Sequence, residues 1–341
     1  MTDNNPISPP NRRRLLKDFT ASMGLAAIAT AHGIKNIQAE ERKTQMSERI
    51  VKADGIEIAT QAFGDTAHPA ILLIMGAMAS MLWWPEDFCM RLAAEGRYVI
   101  RYDNRDTGRS TTYETGKPPY TFDDMADDAI RVLDGYGISK AHVVGMSLGG
   151  MIGQLAALKH SSRVSSFTAI STTPVGTDTS HLPQTTDVYM KHSAVAAEMD
   201  WSNRDQVISF IVKDAHMLAG TAYPHDERAA RNFIERDFDR AANFKSATNH
   251  FMLTGGKAWQ GRLREMQPPL LVIHARLIQF FQSNTAPCSQ RRYPEQHFCG
   301  WKAAAMNCIR DTGTKSSERL SSIQRFESAR SDWGNALIRS F

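Results

Sequence analysis

One short segment constrains the fold more than any other. Gly145-Met146-Ser147-Leu148-Gly149 lies between a predicted strand, His142-Val143-Val144, and a stretch of helical spacing, Leu148 to His160. A strand must end and a helix must begin within one residue of Ser147. A turn that tight tolerates only small flanking residues, which Gly145 and Gly149 supply. It lifts the serine hydroxyl above the end of the sheet and sets it at a helix N-terminus. There the unpaired N–H groups and the helix dipole favour developing negative charge. The spacing therefore points to Ser147 as a nucleophile, with the backbone N–H of Leu148 as one donor to an oxyanion.

The rest of the chain supports a sheet around that turn. Arg49–Lys52 and Ile56–Phe63 flank Asp54-Gly55, a hairpin signal. Ile71-Leu72-Leu73-Ile74-Met75 is apolar at every position, as a strand covered on both faces should be. A helix is predicted over Pro85–Gly96, a strand at Tyr98-Val99-Ile100, and a helix over Thr121–Tyr136, with Thr121 capping it and Asp123 and Asp124 in its first turn. Strands at Ser166–Ile170 and Pro269–His274 follow. Strand–helix alternation predicts an α/β fold with a mostly parallel sheet and helices on both faces. Residues 177–262 break the rhythm. They are helical and polar and carry Met190, Met199, Met217, Met252, Trp201 and Trp259, and they are read as an inserted cap. The Met and Trp side chains are expected to form its core, a few of them lining a pocket. This divides the chain into a leader (1–45), a core (46–176), the cap (177–262), a returning core strand (263–274) and a tail (275–341).

A second oxyanion donor is expected from the loop after Ile71–Met75, Met75-Gly76-Ala77-Met78-Ala79-Ser80, where Gly76 allows close approach and Ala77 N–H is the candidate. Two segments then carry a resemblance. Arg101-Tyr102-Asp103-Asn104-Arg105-Asp106-Thr107-Gly108-Arg109-Ser110 is similar to the strand-four loop of the aclacinomycin methylesterase-like group of α/β-hydrolases. Val143 to Met151 is similar to that group's nucleophile turn. The resemblance implies a serine esterase acting on a small apolar or aromatic ester. One departure is Met75, where many relatives carry histidine before the glycine; backbone donors do not depend on that side chain. Serine at 147 argues against epoxide hydrolases and dehalogenases, whose turn carries aspartate. Asp103 and Asp106 are expected to fix loops through backbone hydrogen bonds, and His142 to be structural. Any of His181, His192, His216, His225 and His250 in the predicted cap could approach Ser147.

Composition narrows the partners. A net charge of +4, with no Lys/Arg run outside the N-terminus, gives no footprint for nucleic acid. Four cysteines without CxxC spacing give neither a disulfide framework nor a zinc site, and no metal or organic cofactor is implied. No apolar run reaches the roughly eighteen residues of a membrane span. Arg12-Arg13-Arg14-Leu15-Leu16-Lys17, the mild apolar stretch Met23–Ala31 and Ile37-Gln38-Ala39 together resemble a twin-arginine export signal. The alternatives are a basic leader, or a cytoplasmic protein that starts at Met46.

The triad is where the pattern stops. A serine needs a base, and the base needs an orienting acid. The resemblance implies an acid after Leu270–His274, in a stretch like HGxxDP, and a histidine after the last strand, in a stretch like GxGH. Instead, the chain reads His274-Ala275-Arg276-Leu277-Ile278-Gln279-Phe280-Phe281, with no Asp or Glu before Glu295 and no later histidine except His297. Composition shifts too: residues 275–341 hold ten Lys/Arg against five Asp/Glu, and three of the four cysteines. Back-translating the tail with freely chosen third bases, and one base restored after the His274 codon, gives as one obtainable translation a sequence containing HGTADP, an amphipathic helix, a strand and GCGH. The sequence is therefore read as frameshifted, with the missing acid opposite Leu277–Ile278 and the missing base opposite Ala305–Met306. The closing strand and helix are expected to be missing, the sheet edge bare, and the tail disordered or poorly packed. Three outcomes stay open: an impaired esterase, a non-catalytic binding protein that keeps the pocket, or an inactive product.

Overall fold

The computed structural model describes residues 47–176, 186–219, 226–275, 297–302 and 305–307. The chain divides into two units, Met1–Gln45 and Met46–Phe341, and every described residue lies in the second. The segment read as an export signal, His181 and His225 lie outside the described residues.

Among the described residues nine strands form one sheet, in the order β1-β2-β4-β3-β5-β6-β7-β8-β9. They are β1 Arg49–Ala53, β2 Ile56–Phe63, β3 Ala70–Ile74, β4 Tyr98–Tyr102, β5 Ala141–Met146, β6 Val164–Ile170, β7 Leu270–Ala275, β8 His297–Lys302 and β9 Ala305–Asn307. From β4 across to β8 every neighbouring pair is parallel. The outer pairs, β1–β2, β2–β4 and β8–β9, are antiparallel. The β1–β2 turn takes positive φ at Asp54 (51°) and Gly55 (79°), the geometry an Asp-Gly hairpin supplies.

Side-chain alternation explains why both faces are covered. In β3, Leu72 and Ile74 enter one apolar cluster and Ile71 and Leu73 enter the other. The first cluster packs beneath α2 (Phe122–Gly135) and α3 (Leu148–Lys159), through Met125, Leu133, Ile152 and Leu155. The second packs beneath α1 (Glu86–Ala94), through Phe88 and Leu92. Each fully buried Leu or Ile here contributes about 1.5–3 kcal/mol of transfer free energy. α2 starts as read: the Thr121 hydroxyl accepts from Asp124 N–H, and the Asp124 carboxylate accepts from Thr121 N–H at 2.8 Å.

The cap region holds α4 (Asp187–Ala194), α5 (Arg204–Leu218) and α6 (Glu227–Arg240), then a 3-10 segment, Phe244–Met252. Its small core is Ile208, Val212 and Ile234. The expected Met and Trp core is only partly found. Met199 is buried, but Met190 and Met252 are each 54% exposed, and Trp259 packs on the main core instead. Methionine's length lets it stand at a helix surface, so its abundance did not specify burial.

The expectation of a bare edge beyond β7 is corrected. β8 pairs in parallel with β7, Leu271 opposite His297 through Ala275 opposite Trp301, and β9 folds back on β8. The unpaired N–H and C=O row of an edge strand accepts any extended backbone. Pairing therefore does not require the apolar periodicity that residues 297–302 lack. β7 still differs from β3 and β4: all five residues of each of those are buried, whereas Leu270, Leu271, Val272 and Ile273 are only half-buried.

Candidate active site

Ser147 sits between β5 and α3 with φ 51° and ψ −118°, a combination that L-residues rarely adopt and that costs about 1–3 kcal/mol. The turn is fixed from both sides. Ser147 N–H donates to Ile170 C=O at 2.9 Å, and Ser147 C=O accepts from Gly150 N–H at 2.9 Å and from the Thr172 hydroxyl at 2.7 Å. With its backbone held, the Ser147 side chain is left exposed at the N-terminus of α3. No side chain among the described residues is hydrogen-bonded to its hydroxyl.

The two glycines are required by distance. A Cβ on Gly145 would lie 2.1 Å from Gly149 C=O, and one on Gly149 would lie 2.2 Å from Ile74 C=O. Both obstacles are backbone, which no rotamer change relieves. Gly145→Ala and Gly149→Ala are each expected to cost at least about 2 kcal/mol, read from urea midpoints. A loss below 0.5 kcal/mol in either variant would show that α3 does not approach the sheet this closely.

The loop after β3 lies against the serine. A Cβ on Gly76 would stand 3.3 Å from Ser147 Cβ and 3.8 Å from Ser147 Oγ. Ala77 N–H and Leu148 N–H have no hydrogen-bond partner among the described residues. Buried side chains anchor this loop. Asn104 Nδ2 donates to Met75 C=O at 3.1 Å, Met78 N–H donates to His250 Nδ1 at 3.1 Å, and Met81 N–H donates to Asp103 Oδ1 at 2.7 Å. The Ser80 hydroxyl and Trp83 Nε1 both donate to Asp237 on α6. Burial pushes the Asp237 carboxyl up and the His250 imidazole down from their ordinary values.

Asp103 and Asp106 serve as loop anchors. Asp103 accepts from Met81 N–H and Arg109 N–H, and Asp106 from Tyr113 N–H, the Tyr120 hydroxyl and Asn249 Nδ2. His142 bonds the Ser166 hydroxyl at 2.6 Å. His192 is buried in the cap, stacked 4.5 Å from Phe210, and His250 is committed to Met78 and Arg105. Neither supplies a base to Ser147. Sequence reasoning did not single out Asn104, Asp237 or His250 as supports of this loop; their partners lie 29, 157 and 172 residues away, so no local spacing marks them.

Strand register locates where an acid and a base would have to stand. Met146 pairs with Ile170, Ile170 with Ile273, and Ile273 with Cys299, so the C-terminal ends of β6, β7 and β8 run level with Ser147. The residues that follow β7 (Arg276-Leu277-Ile278) and β8 (Ala303-Ala304) include neither carboxylate nor imidazole. His297 enters β8 on the row of Leu271, Thr168 and Val144. At about 4.8 Å per strand and 3.3 Å per residue, its backbone is roughly 14 Å across and 10 Å down from that of Ser147, out of reach for proton transfer. Among the described residues no group of three or more His, Cys, Asp or Glu side chains could hold a metal ion.

Residues 69–299 match the family described as alpha/beta hydrolase fold. The chain is 46% identical over 125 residues to rhodomycin D methylesterase of Streptomyces sp. strain C5, and equally so to that of Streptomyces peucetius, covering 37% of this chain and 42% of each relative. A putative carbamate hydrolase of Caulobacter segnis is 35% identical over 117 residues, 34% of this chain and 43% of the relative. The chain thus spans about two fifths of the length of the curated relatives it matches. Among solved structures, a Nitrososphaera carboxylesterase aligns with TM-score 0.54 and 19% identity over 84% of this chain and all but 1% of its own. The 2-hydroxy-6-oxo-6-phenylhexa-2,4-dienoate hydrolase of Rhodococcus sp. strain RHA1 aligns with TM-score 0.58 and 15% identity over 75% and 90%. At those identities the likeness is one of fold.

Proposed function

Since this chain belongs to the α/β-hydrolase fold family, we propose that it is a serine hydrolase of esterase type, acting through an acyl-enzyme on Ser147 and impaired as written. The observation that carries the reading is the strained, exposed Ser147 at a helix N-terminus, beside a loop whose Ala77 N–H is free among the described residues. Ser147 Oγ adds to the ester carbonyl carbon. The resulting oxyanion accepts from Ala77 and Leu148 N–H. Collapse expels the alcohol and leaves the acyl group on Ser147, and water then releases the acid. Each half-reaction moves one proton, and among the described residues no histidine is hydrogen-bonded to the Ser147 hydroxyl to do that work.

The substrate class is a small apolar or aromatic ester. The 46% identity to two methylesterases supports that choice over the carbamate chemistry named for the less similar relatives. The test uses the full chain with a fluorophosphonate probe and an activated aryl ester. Labelling is expected to be slow and confined to Ser147, absent in Ser147→Ala, with ester turnover near the buffer rate. Unchanged labelling in Ser147→Ala would remove Ser147 as the nucleophile; rapid turnover dependent on Ser147 would remove the impairment.

The frame change belongs to the same proposal. In the translation with one base restored after the His274 codon, the acid of HGTADP falls just beyond β7 and the histidine of GCGH just beyond β8. Between them the apolar run TLLWLE falls opposite His297–Lys302, the residues of β8. The nucleotide sequence around that codon tests it directly. Export by the twin-arginine route is proposed from Arg12-Arg13-Arg14 and the apolar stretch behind it. Fractionation of cells expressing the full chain, against a variant with Arg12 and Arg13 replaced by Lys, checks that.

A further inference from the structure

The loop that carries Ala77 N–H is held by a residue from the 3-10 segment that ends the cap region. Met78, next to Ala77, holds φ at 63°, the left-handed region that side chains other than glycine avoid. Its N–H donates to His250 Nδ1 at 3.1 Å, while His250 Nε2 reaches Arg105 C=O at 2.7 Å. The partners fix the ring's tautomer. A carbonyl only accepts and an amide N–H only donates, so the proton sits on Nε2 and the Nδ1 lone pair faces Met78. His250 is 3% exposed, and its own segment is immobilised: Asn249 Nδ2 donates to Asp106 Oδ2 at 2.9 Å and the Ser246 hydroxyl to Asp106 C=O at 3.2 Å. The imidazole is therefore a rigid strut between the loop after β4 and the loop after β3.

We propose that His250 is a positioning residue for the oxyanion-binding loop, its Nδ1 holding Met78 in the left-handed conformation and so aiming the adjacent Ala77 N–H at the site above Ser147. Fixing the Met78 N–H fixes the plane of the peptide between residues 77 and 78. Without that acceptor the strained φ at Met78 loses its compensation, and the loop relaxes to ordinary backbone geometry. This rests on the serine reading above, and the test separates the two.

Three variants of the full chain divide the strut into its halves. His250→Asn places an oxygen acceptor near the Nδ1 position and gives up the bond to Arg105. His250→Gln places a donor near the Nε2 position and gives up the acceptor for Met78. His250→Phe gives up both. Two readouts are taken: hydrogen–deuterium exchange of the amides over residues 75–82, and the rate of Ser147 labelling by an alkyl fluorophosphonate. Urea midpoints report global stability. In the Gln and Phe variants, protection at Met78 and the labelling rate are each expected to fall about tenfold, the worth of one net hydrogen bond. The Asn variant is expected to stay within about threefold of the parent. Unchanged protection in Gln and Phe overturns the proposal. So does a loss in all three variants that tracks the urea midpoint, because that describes a residue that only holds the fold together. If the parent chain is not labelled at all, the serine reading fails, and exchange at Met78 alone still decides whether His250 sets the loop.

Discussion

Restoring one base after the His274 codon is expected to raise kcat/KM for an activated aryl ester by about 10⁴-fold or more over the chain as written, because losing the base or the acid of a triad costs on that order. The geometry for that gain is already in place. The turn at Ser147 is tied down by Ile170, Gly150 and Thr172, and the loop after β3 is anchored by Asn104, His250 and Asp237. The restored translation adds an acid beyond β7 and a histidine beyond β8, on strand ends that the register places level with Ser147. The restored enzyme is also expected to gain a rate dependence on a group titrating near neutral pH, the signature of a histidine base, which the chain as written should lack. Its strand and amphipathic helix should raise the urea midpoint, since Leu270–Ile273 of β7 are only half-buried here. The two proteins are compared by steady-state hydrolysis, each beside its Ser147→Ala variant. Restored activity within tenfold of the chain as written, or an acceleration that survives Ser147→Ala, would end the idea that the frame carries the missing triad.

Much of the fold could be read from local pattern, and the exceptions have a common cause. β3 was legible because a strand covered on both faces must be apolar at every position, and α2 because Thr121 and Asp124 complete a box within four residues. The turn at Ser147 was legible because the clash distances at Gly145 and Gly149 leave no alternative residue. β8 was not, since a strand that joins an edge through its backbone needs no side-chain periodicity. Nor were the supports of the site. Ser80 meets Asp237 across 157 residues, and Met78 meets His250 across 172. Only the packing of the cap on the core brings them together, and no spacing within either segment announces it.

Replacing Arg240 with alanine is expected to destabilise the chain by about 3–5 kcal/mol, the usual consequence of leaving a buried charge without its partner. The charge left behind is Asp103, fully buried at the end of β4. Arg240 Nη2 donates to Asp103 Oδ2 at 2.7 Å, while Nε and Nη2 clasp the Glu48 carboxylate at 2.7 and 3.0 Å. Gly108 makes room for this: a Cβ there would lie 2.2 Å from Asp103 Oδ2 and 2.4 Å from Arg240 Nη1. The guanidinium thus joins the last turn of α6 to the loop after β4 and to the first described residues of the chain. Burial lifts the Asp103 carboxyl above its ordinary value, and Arg240 pulls it back. In Arg240→Ala the lifting is opposed only by the Met81 and Arg109 N–H donors, so the carboxyl rises further and the folded state holds its proton to higher pH than the unfolded state does. The unfolded state then binds fewer protons, and stability falls as pH rises through that raised value. The deficit relative to the parent should accordingly be larger at pH 7.5 than at pH 5. Asp103→Asn combined with Arg240→Met removes both charges and should recover at least half of the loss, because a neutral pair needs no compensation. Urea titrations of Asp103→Asn, Arg240→Met and the double variant, run at both pH values beside Arg240→Ala, complete the cycle. A loss under 1 kcal/mol in Arg240→Ala, or a deficit that shrinks toward pH 7.5, would mean that Asp103 is protonated in the parent and that Glu48 alone is the partner of Arg240.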